Sequence, residues 1–271
     1  MTYDDAATLP PLAFVHIPKT AGTSITNVLR NIYGVQACPA TTTLDYRKLD
    51  SAALGAYRFF SGHAYRRDYE RLPAGISYFT VLRDPVARTL STYRYYRQID
   101  ETHLNDDFML EASRLAKSDS AIAFIYSDSP FIIEHIRLGQ LRQFLTPETL
   151  MRIAHRQFLT RDLRRRAIDE FQQEMTRFDY VLTCESLALT FPLMTARLGL
   201  PMAGRALGRD NRSFACDNIE PDDIRRAVMD VNEAEFSCYE YARRRETAWM
   251  AAALTPCCDG DGIPPRRGKP V

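Results

Sequence analysis

The stretch Leu12–Ser24, LAFVHIPKTAGTS, constrains this chain more than any other. Leu12–Ile17 is an apolar run too short for a helix and flanked by prolines, which reads as a buried strand. After the turn, Ile25, Val28, Leu29 and Ile32 recur at the spacing of one helical face, and Gly34 stands where such a helix stops. A strand, a glycine-containing turn and a helix in direct succession are the opening unit of an α/β fold. Such a turn leaves backbone N–H groups at the positive end of a helix dipole, an arrangement that cradles anions. Gly22 permits close backbone approach, Thr20, Thr23 and Ser24 supply hydroxyl donors, and Lys19 supplies charge. This is the layout of a phosphate loop without its usual text, because G-x-x-x-x-G-K-S/T is absent. The plain alternative is an ordinary N-capped turn.

Three further strands follow. Tyr57–Ser61 (YRFFS) leads into Gly62-His63, and Tyr78–Leu82 (YFTVL) leads into Arg83-Asp84-Pro85. There Asp84 suits an N-cap and Pro85 the first helical position, and Val86, Leu90, Tyr93 and Arg97 form one stripe of the next helix. Tyr180–Thr183 (YVLT) is the fourth strand, ahead of Cys184-Glu185. The predicted fold class is α/β, P-loop-like, with a central parallel sheet flanked by helices. In open parallel sheets ligands bind beyond the carboxyl ends of the strands. Lys19, His63 and Arg83 each follow a strand, so residues distant in sequence are expected to meet on one edge. Ser91, two turns into the helix after Arg83, adds a hydroxyl to the planar guanidinium fork that suits a phosphate.

Residues 100–177 read as helical and polar. The run Arg164-Arg165-Arg166 suggests a polyanion site, but Asp169 and Glu170 lie four residues beyond Arg165 and Arg166, which favours a solvated, salt-bridged face. A long helix is expected from about Pro221, with Asp222 and Asp223 at its positive end. The expected organisation is an N-terminal extension (1–11), a single domain (12–254) and a disordered tail (255–271) rich in Gly and Pro.

Composition narrows the partners. The 35 Lys+Arg nearly balance 34 Asp+Glu, for a formal net charge of +1, which argues against a chain that coats nucleic acid or an anionic membrane. No apolar run is long enough to span a bilayer. Met1–Pro11 lacks the basic-then-apolar pattern of a signal peptide, and the six cysteines show no CxxC and no metal-ligand spacing with His. The expectation is a reduced, cytoplasmic protein with no metal. Only four of the 35 basic residues are Lys, so the lysine at the first turn stands out.

HIPKTAGTS, followed some sixty residues later by VLRDPVARTLSTYRYY, resembles the sulfotransferases that use 3′-phosphoadenosine 5′-phosphosulfate (PAPS). The resemblance is to the branch of glycosaminoglycan-type 2-O- and 6-O-sulfotransferases and their bacterial relatives, and is firmest over residues 12–97. It implies that Lys19, Thr20, Ala21, Gly22, Thr23 and Ser24 hold the 5′ side of the nucleotide, and that Arg83 and Ser91 hold the 3′-phosphate. It also implies His63, in Ser61-Gly62-His63, as catalytic base. Fainter similarity touches Gln140–Leu145, Phe178–Glu185, Asn232–Ala242 and a loop at Arg209–Arg212.

The implied reaction moves a sulfuryl group from PAPS to a hydroxyl of a small-molecule or glycan acceptor, releasing 3′-phosphoadenosine 5′-phosphate (PAP). His63 takes the acceptor proton, and Lys19 with the helix N-terminus stabilises the leaving phosphate. Two other classes share parts of this pattern. A P-loop kinase needs an acidic metal ligand after a strand, where Glu185 is the nearest residue and reads as structural. A non-catalytic nucleotide-binding module has no need of His63. His16 reads as a core residue of the first strand. Tyr93, Tyr95, Tyr96 and Tyr126 read as core or as stacking surfaces for an acceptor.

Overall fold

A computed structural model describes residues 8–39, 48–104, 106–153, 159–201, 207 and 221–255. The strands are β1 (Leu12–Val15), β2 (Phe59–Gly62), β3 (Ser77–Leu82) and β4 (Tyr180–Thr183), all parallel in the order β2-β1-β3-β4. The main helices are α1 (Gly22–Tyr33), α2 (Pro85–Gln98), α3 (Asp107–Ser118), α4 (Arg161–Met175), α5 (Leu187–Arg197) and α6 (Pro221–Leu254).

The strands are mostly apolar and buried because both faces of the sheet are covered. Successive side chains point to opposite faces, so each strand divides its residues between two cores. Ala13, Val15, Phe60, Tyr78, Leu82 and Val181 enter one core, with Leu163, Ala167, Phe171 and Met175 of α4 and Ala234, Cys238 and Ala242 of α6. Leu12, Phe14, Phe59, Phe79, Val81 and Leu182 enter the other, against Ile25, Leu29 and Ile32 of α1 and Phe191 and Met194 of α5. A third core joins Tyr93 and Tyr96 of α2, Ala112 and Ala116 of α3, Phe124 and Ile125, and Ile224 and Val228 of α6. The 100–177 region is thus helical as expected, but it also carries an apolar cluster that its polar average conceals.

Local chemistry sets the element ends. The Asp84 carboxylate accepts from the Ala87 N–H at 2.9 Å and Pro85 opens α2. β1 stops at Val15, two residues short of the expected end, because the chain enters the turn before Pro18, although the His16 N–H still donates to Gly62 at 3.0 Å. α6 is helical on both sides of Asn232, whose φ of −145° and ψ of 35° break the helix there. The arginine run on α4 forms the salt-bridged face that its spacing suggests: Arg165 reaches Asp169 at 3.9 Å, Arg166 reaches Glu170 at 3.0 Å and Glu148 at 3.1 Å, and Arg164 pairs with Glu233.

Among the described residues no helix is long and apolar enough to cross a membrane. Arg209–Arg212, His155, residues 1–7 of the N-terminal extension and residues 256–271 of the expected tail lie outside the described residues.

Candidate functional site

Because the strands are parallel, the residues that follow them gather on one edge of the sheet. Lys19 follows β1, His63 follows β2, Arg83 follows β3 and Glu185 follows β4.

The turn from β1 to α1 is strained. Lys19 has φ 69° and Ala21 has φ 63°, left-handed conformations that residues with a Cβ adopt at a cost. Left-handed residues of this kind are the backbone conformation from which anion-binding nests are built. Ala21 is the N-cap of α1 with no side-chain cap hydrogen bond, and the first turn of α1 holds no acid. The Thr20 hydroxyl is buried and donates to the Ile17 carbonyl at 2.8 Å, closing the turn on itself. Thr26 Oγ1 and Ser61 Oγ lie 2.7 Å apart and tie α1 to β2.

Gly22 matters for a reason the sequence does not reveal. A Cβ built there would sit 1.7 Å from His16 Nε2. His16 is therefore not simply a core residue of β1. Its imidazole lies beneath the loop, 5.3 Å from the Phe14 ring and 4.6 Å from the His63 ring, in the space that Gly22 leaves open.

Arg83 connects the two sequence motifs. Its NH1 donates to the Lys19 carbonyl at 3.3 Å. Its backbone is held from the other side by one amide: the Arg83 N–H donates to Gln140 Oε1 at 2.8 Å, and Gln140 Nε2 donates to the Arg83 carbonyl at 2.9 Å. Ser91 is buried on α2, 8 % exposed. Lys19 Nζ lies 4.2 Å above the Tyr95 ring. Burial, and then the Arg83 charge, lower the Lys19 pKa to about 8. An anion placed here reverses that balance, since it favours the ammonium form.

His63 is exposed to solvent, yet its ring is crowded by the His16 ring 4.6 Å away. That crowding, and then the Arg142 guanidinium, lower its pKa to about 4, so the imidazole is neutral at pH 7 and able to accept a proton. Arg142 is itself buried, donates to Glu134 Oε1 at 2.8 Å, lies 2.9 Å from His135 Nε2 and stands over the Tyr65 ring at 5.5 Å.

The structure brings Lys19, Gly22, His63 and Arg83 to one edge, with Ser91 on the helix that starts beside it. Of the tyrosines, Tyr93 and Tyr96 are core, Tyr95 is the exposed ring under Lys19, and the Tyr126 hydroxyl donates to Asp230 at 2.7 Å. Glu185 is structural, accepting from the Asp84 N–H at 3.1 Å and from the Tyr239 hydroxyl at 2.8 Å. Sequence reasoning did not assign the supports behind the edge: His16 read as core, and Gln140, Gln143 and Glu235 lay in segments of only faint family similarity. Their roles depend on contacts across up to 127 positions of sequence, and no local pattern encodes such contacts.

No curated protein matches the chain in sequence. Among solved structures the chain is similar to mouse sulfotransferase SULT7A1 complexed with PAP, at 11% identity and a TM-score of 0.39. That match covers 84% of this chain and 66% of the mouse chain, just under two thirds of its length. Residues 7–121 match the model of the sulfotransferase family, a stretch that contains Lys19, His63, Arg83 and Ser91.

Proposed function

We propose that this chain is a PAPS-dependent sulfotransferase acting on a hydroxyl of a small-molecule acceptor, a carbohydrate being the first class to test. One observation carries the reading. The loop after β1 and the arginine after β3, sixty-four residues apart, are joined by the Arg83–Lys19 hydrogen bond on a single sheet edge. Phosphate groups at the two ends of one nucleotide need two such anion sites side by side, one made of backbone amides and a lysine, the other of a guanidinium fork.

In this reading Lys19, Thr20, Ala21, Gly22, Thr23 and Ser24 receive the 5′-phosphosulfate, Arg83 and Ser91 receive the 3′-phosphate, and His63 is the base. Thr20 takes part through the shape of the turn its hydroxyl closes. The acceptor oxygen attacks sulfur and forms a new S–O bond while its proton passes to the neutral imidazole of His63. The bond from sulfur to the bridging oxygen breaks, and its electron pair leaves with PAP. Lys19 and the α1 N-terminus meet the charge that grows on that oxygen. The three described cysteines, Cys38, Cys184 and Cys238, are free thiols. Residues 12–254 act as one domain in this account.

The test is PAP release from PAPS in the presence of a panel of saccharide and phenolic hydroxyl acceptors. Acceptor-dependent release by the wild type, absent in His63→Ala, is the expected result. Release that is unaffected by His63→Ala removes His63 from the mechanism, and no release with any acceptor counts against the enzyme.

A further inference from the structure

Behind the site runs a buried segment, Leu138–Leu145, that follows a π-helical turn at Ile133–Arg137. Single-turn π segments often sit at functional places in a fold. Two glutamines of this segment, Gln140 and Gln143, are fully buried. A buried amide is tolerated when its hydrogen bonds are worth more than its desolvation, so each must hold something that matters.

Gln140 holds the backbone of Arg83 from both sides, as described above. It is in turn braced by Glu235, which accepts from its backbone N–H at 2.6 Å and from its side-chain Nε2 at 3.3 Å. Glu235 also faces Arg88 NH2 at 3.5 Å, while Arg88 NH2 donates to the Ile136 carbonyl at 2.6 Å. Gly at position 139 lets the chain pack closely against Arg88 and the His135 carbonyl. A Cβ at Gly139 would lie 2.3 Å from both Arg88 NH1 and the His135 carbonyl.

Gln143 works on the neighbouring strands. Its Nε2 donates to the His16 carbonyl at 3.0 Å and to the Ala64 carbonyl at 3.2 Å. Those carbonyls belong to the residue that packs against His63 and to the residue that follows it in the chain. The amide oxygen of Gln143 is buried and has no hydrogen-bond partner among the described residues. That cost indicates that the bridge made by the nitrogen is what the position is for.

We propose that Leu138–Leu145 is the positioning strap of the site, in which Gln140 fixes Arg83 and Gln143 fixes the His16–His63 pair. Neither glutamine touches substrate in this account; each acts through the residue it holds. The proposal rests on the sulfotransferase reading for the purpose of the strap, but not for its geometry. The two arms make separable predictions, because one supports a binding group and the other a proton acceptor.

The test uses Gln140→Leu and Gln143→Leu in the full chain, with melting temperature as a check on folding. Three quantities are read: PAP affinity by calorimetry, kcat, and the titration of the His63 imidazole by NMR, assigned by comparison with His63→Asn. Gln140→Leu is expected to weaken PAP about 10-fold and to leave the His63 titration in place. Gln143→Leu is expected to leave PAP affinity within about twofold, to lower kcat about 10-fold, and to move the His63 titration upward as water reaches a loosened ring. A His63 titration unchanged in Gln143→Leu overturns the strap, as does an equal loss in every readout from both variants. Gln143→Met replaces Gln143→Leu should the latter not fold. A wild type that binds no PAP overturns the proposed function instead, and the nucleotide-free NMR titration still decides the Gln143 arm.

Discussion

At the residue scale, the account turns on two groups whose proton affinities the fold depresses. His63 has its pKa lowered to about 4 by crowding and by Arg142, so it is neutral and available as a base throughout the physiological range. The acid limb of kcat/KM is therefore expected near pH 4, well below the range of a free imidazole, in a pH–rate profile of the free enzyme. On the proposed role of His63 as base, His63→Ala should lower kcat by about 10²–10⁴-fold while PAP affinity is kept. Lys19, lowered to about 8 by burial and by Arg83, gives the opposite limb. In the proposed site its charged form holds the anion, and that form is lost as pH rises through its pKa. PAP affinity should be greatest below about pH 8 and fall above it, and Lys19→Arg, which stays charged, should flatten that fall. Calorimetry across pH 7–10 checks both statements.

At the element scale, the first turn and the first strand are fitted to each other. Gly22→Ala places a methyl group in the His16 ring, which is itself packed between Phe14 and His63. Overpacking of this kind costs about 1–3 kcal/mol. Removing the obstacle tests the cause: in the double variant Gly22→Ala/His16→Ala the two costs should be far from additive, as a double-mutant cycle in urea would show. Much of this element was legible in the sequence. The apolar run, the helical spacing of Ile25, Val28, Leu29 and Ile32, and the Asp84-Pro85 helix start are local signals, and the structure shows β1, α1 and α2 where they point. β4 spans the residues expected from YVLT. The meeting of Lys19, His63 and Arg83 on one edge was legible because each follows a strand of a parallel sheet. The roles of His16 and the glutamines were not: Gln140–Leu145 carries only a faint family similarity, and neither a ring that fills the gap beside a glycine nor an amide that bridges two turns signals in the chain what it holds.

At the scale of the whole molecule, the site is anchored by a buried ion pair. Arg88 is 1 % exposed and Glu235 is fully buried, and between them they hold the strap against α2 and α6. Removing one member strands the other charge in the interior, so Glu235→Ala should lose about 3–5 kcal/mol of stability in denaturant unfolding. Replacing both, as Arg88→Met/Glu235→Leu, should cost less than the single change, since no orphaned charge remains.

The sheet topology makes the same point on a larger scale: four parallel strands in the order β2-β1-β3-β4 deliver one chemically useful residue each from β1, β2 and β3 to a common edge. On the proposed function, this edge is a site for a nucleotide carrying phosphate groups at both its 3′ and 5′ ends. The measurement that tests it most directly is a calorimetric titration of PAP, with ATP·Mg²⁺ in parallel, into the wild type and Arg83→Ala. The account predicts metal-independent binding of PAP that Arg83→Ala weakens by about 10–100-fold, the loss expected for a charge-assisted contact. Tight binding of ATP·Mg²⁺ with indifference to PAP, or PAP affinity unchanged in Arg83→Ala, would contradict it.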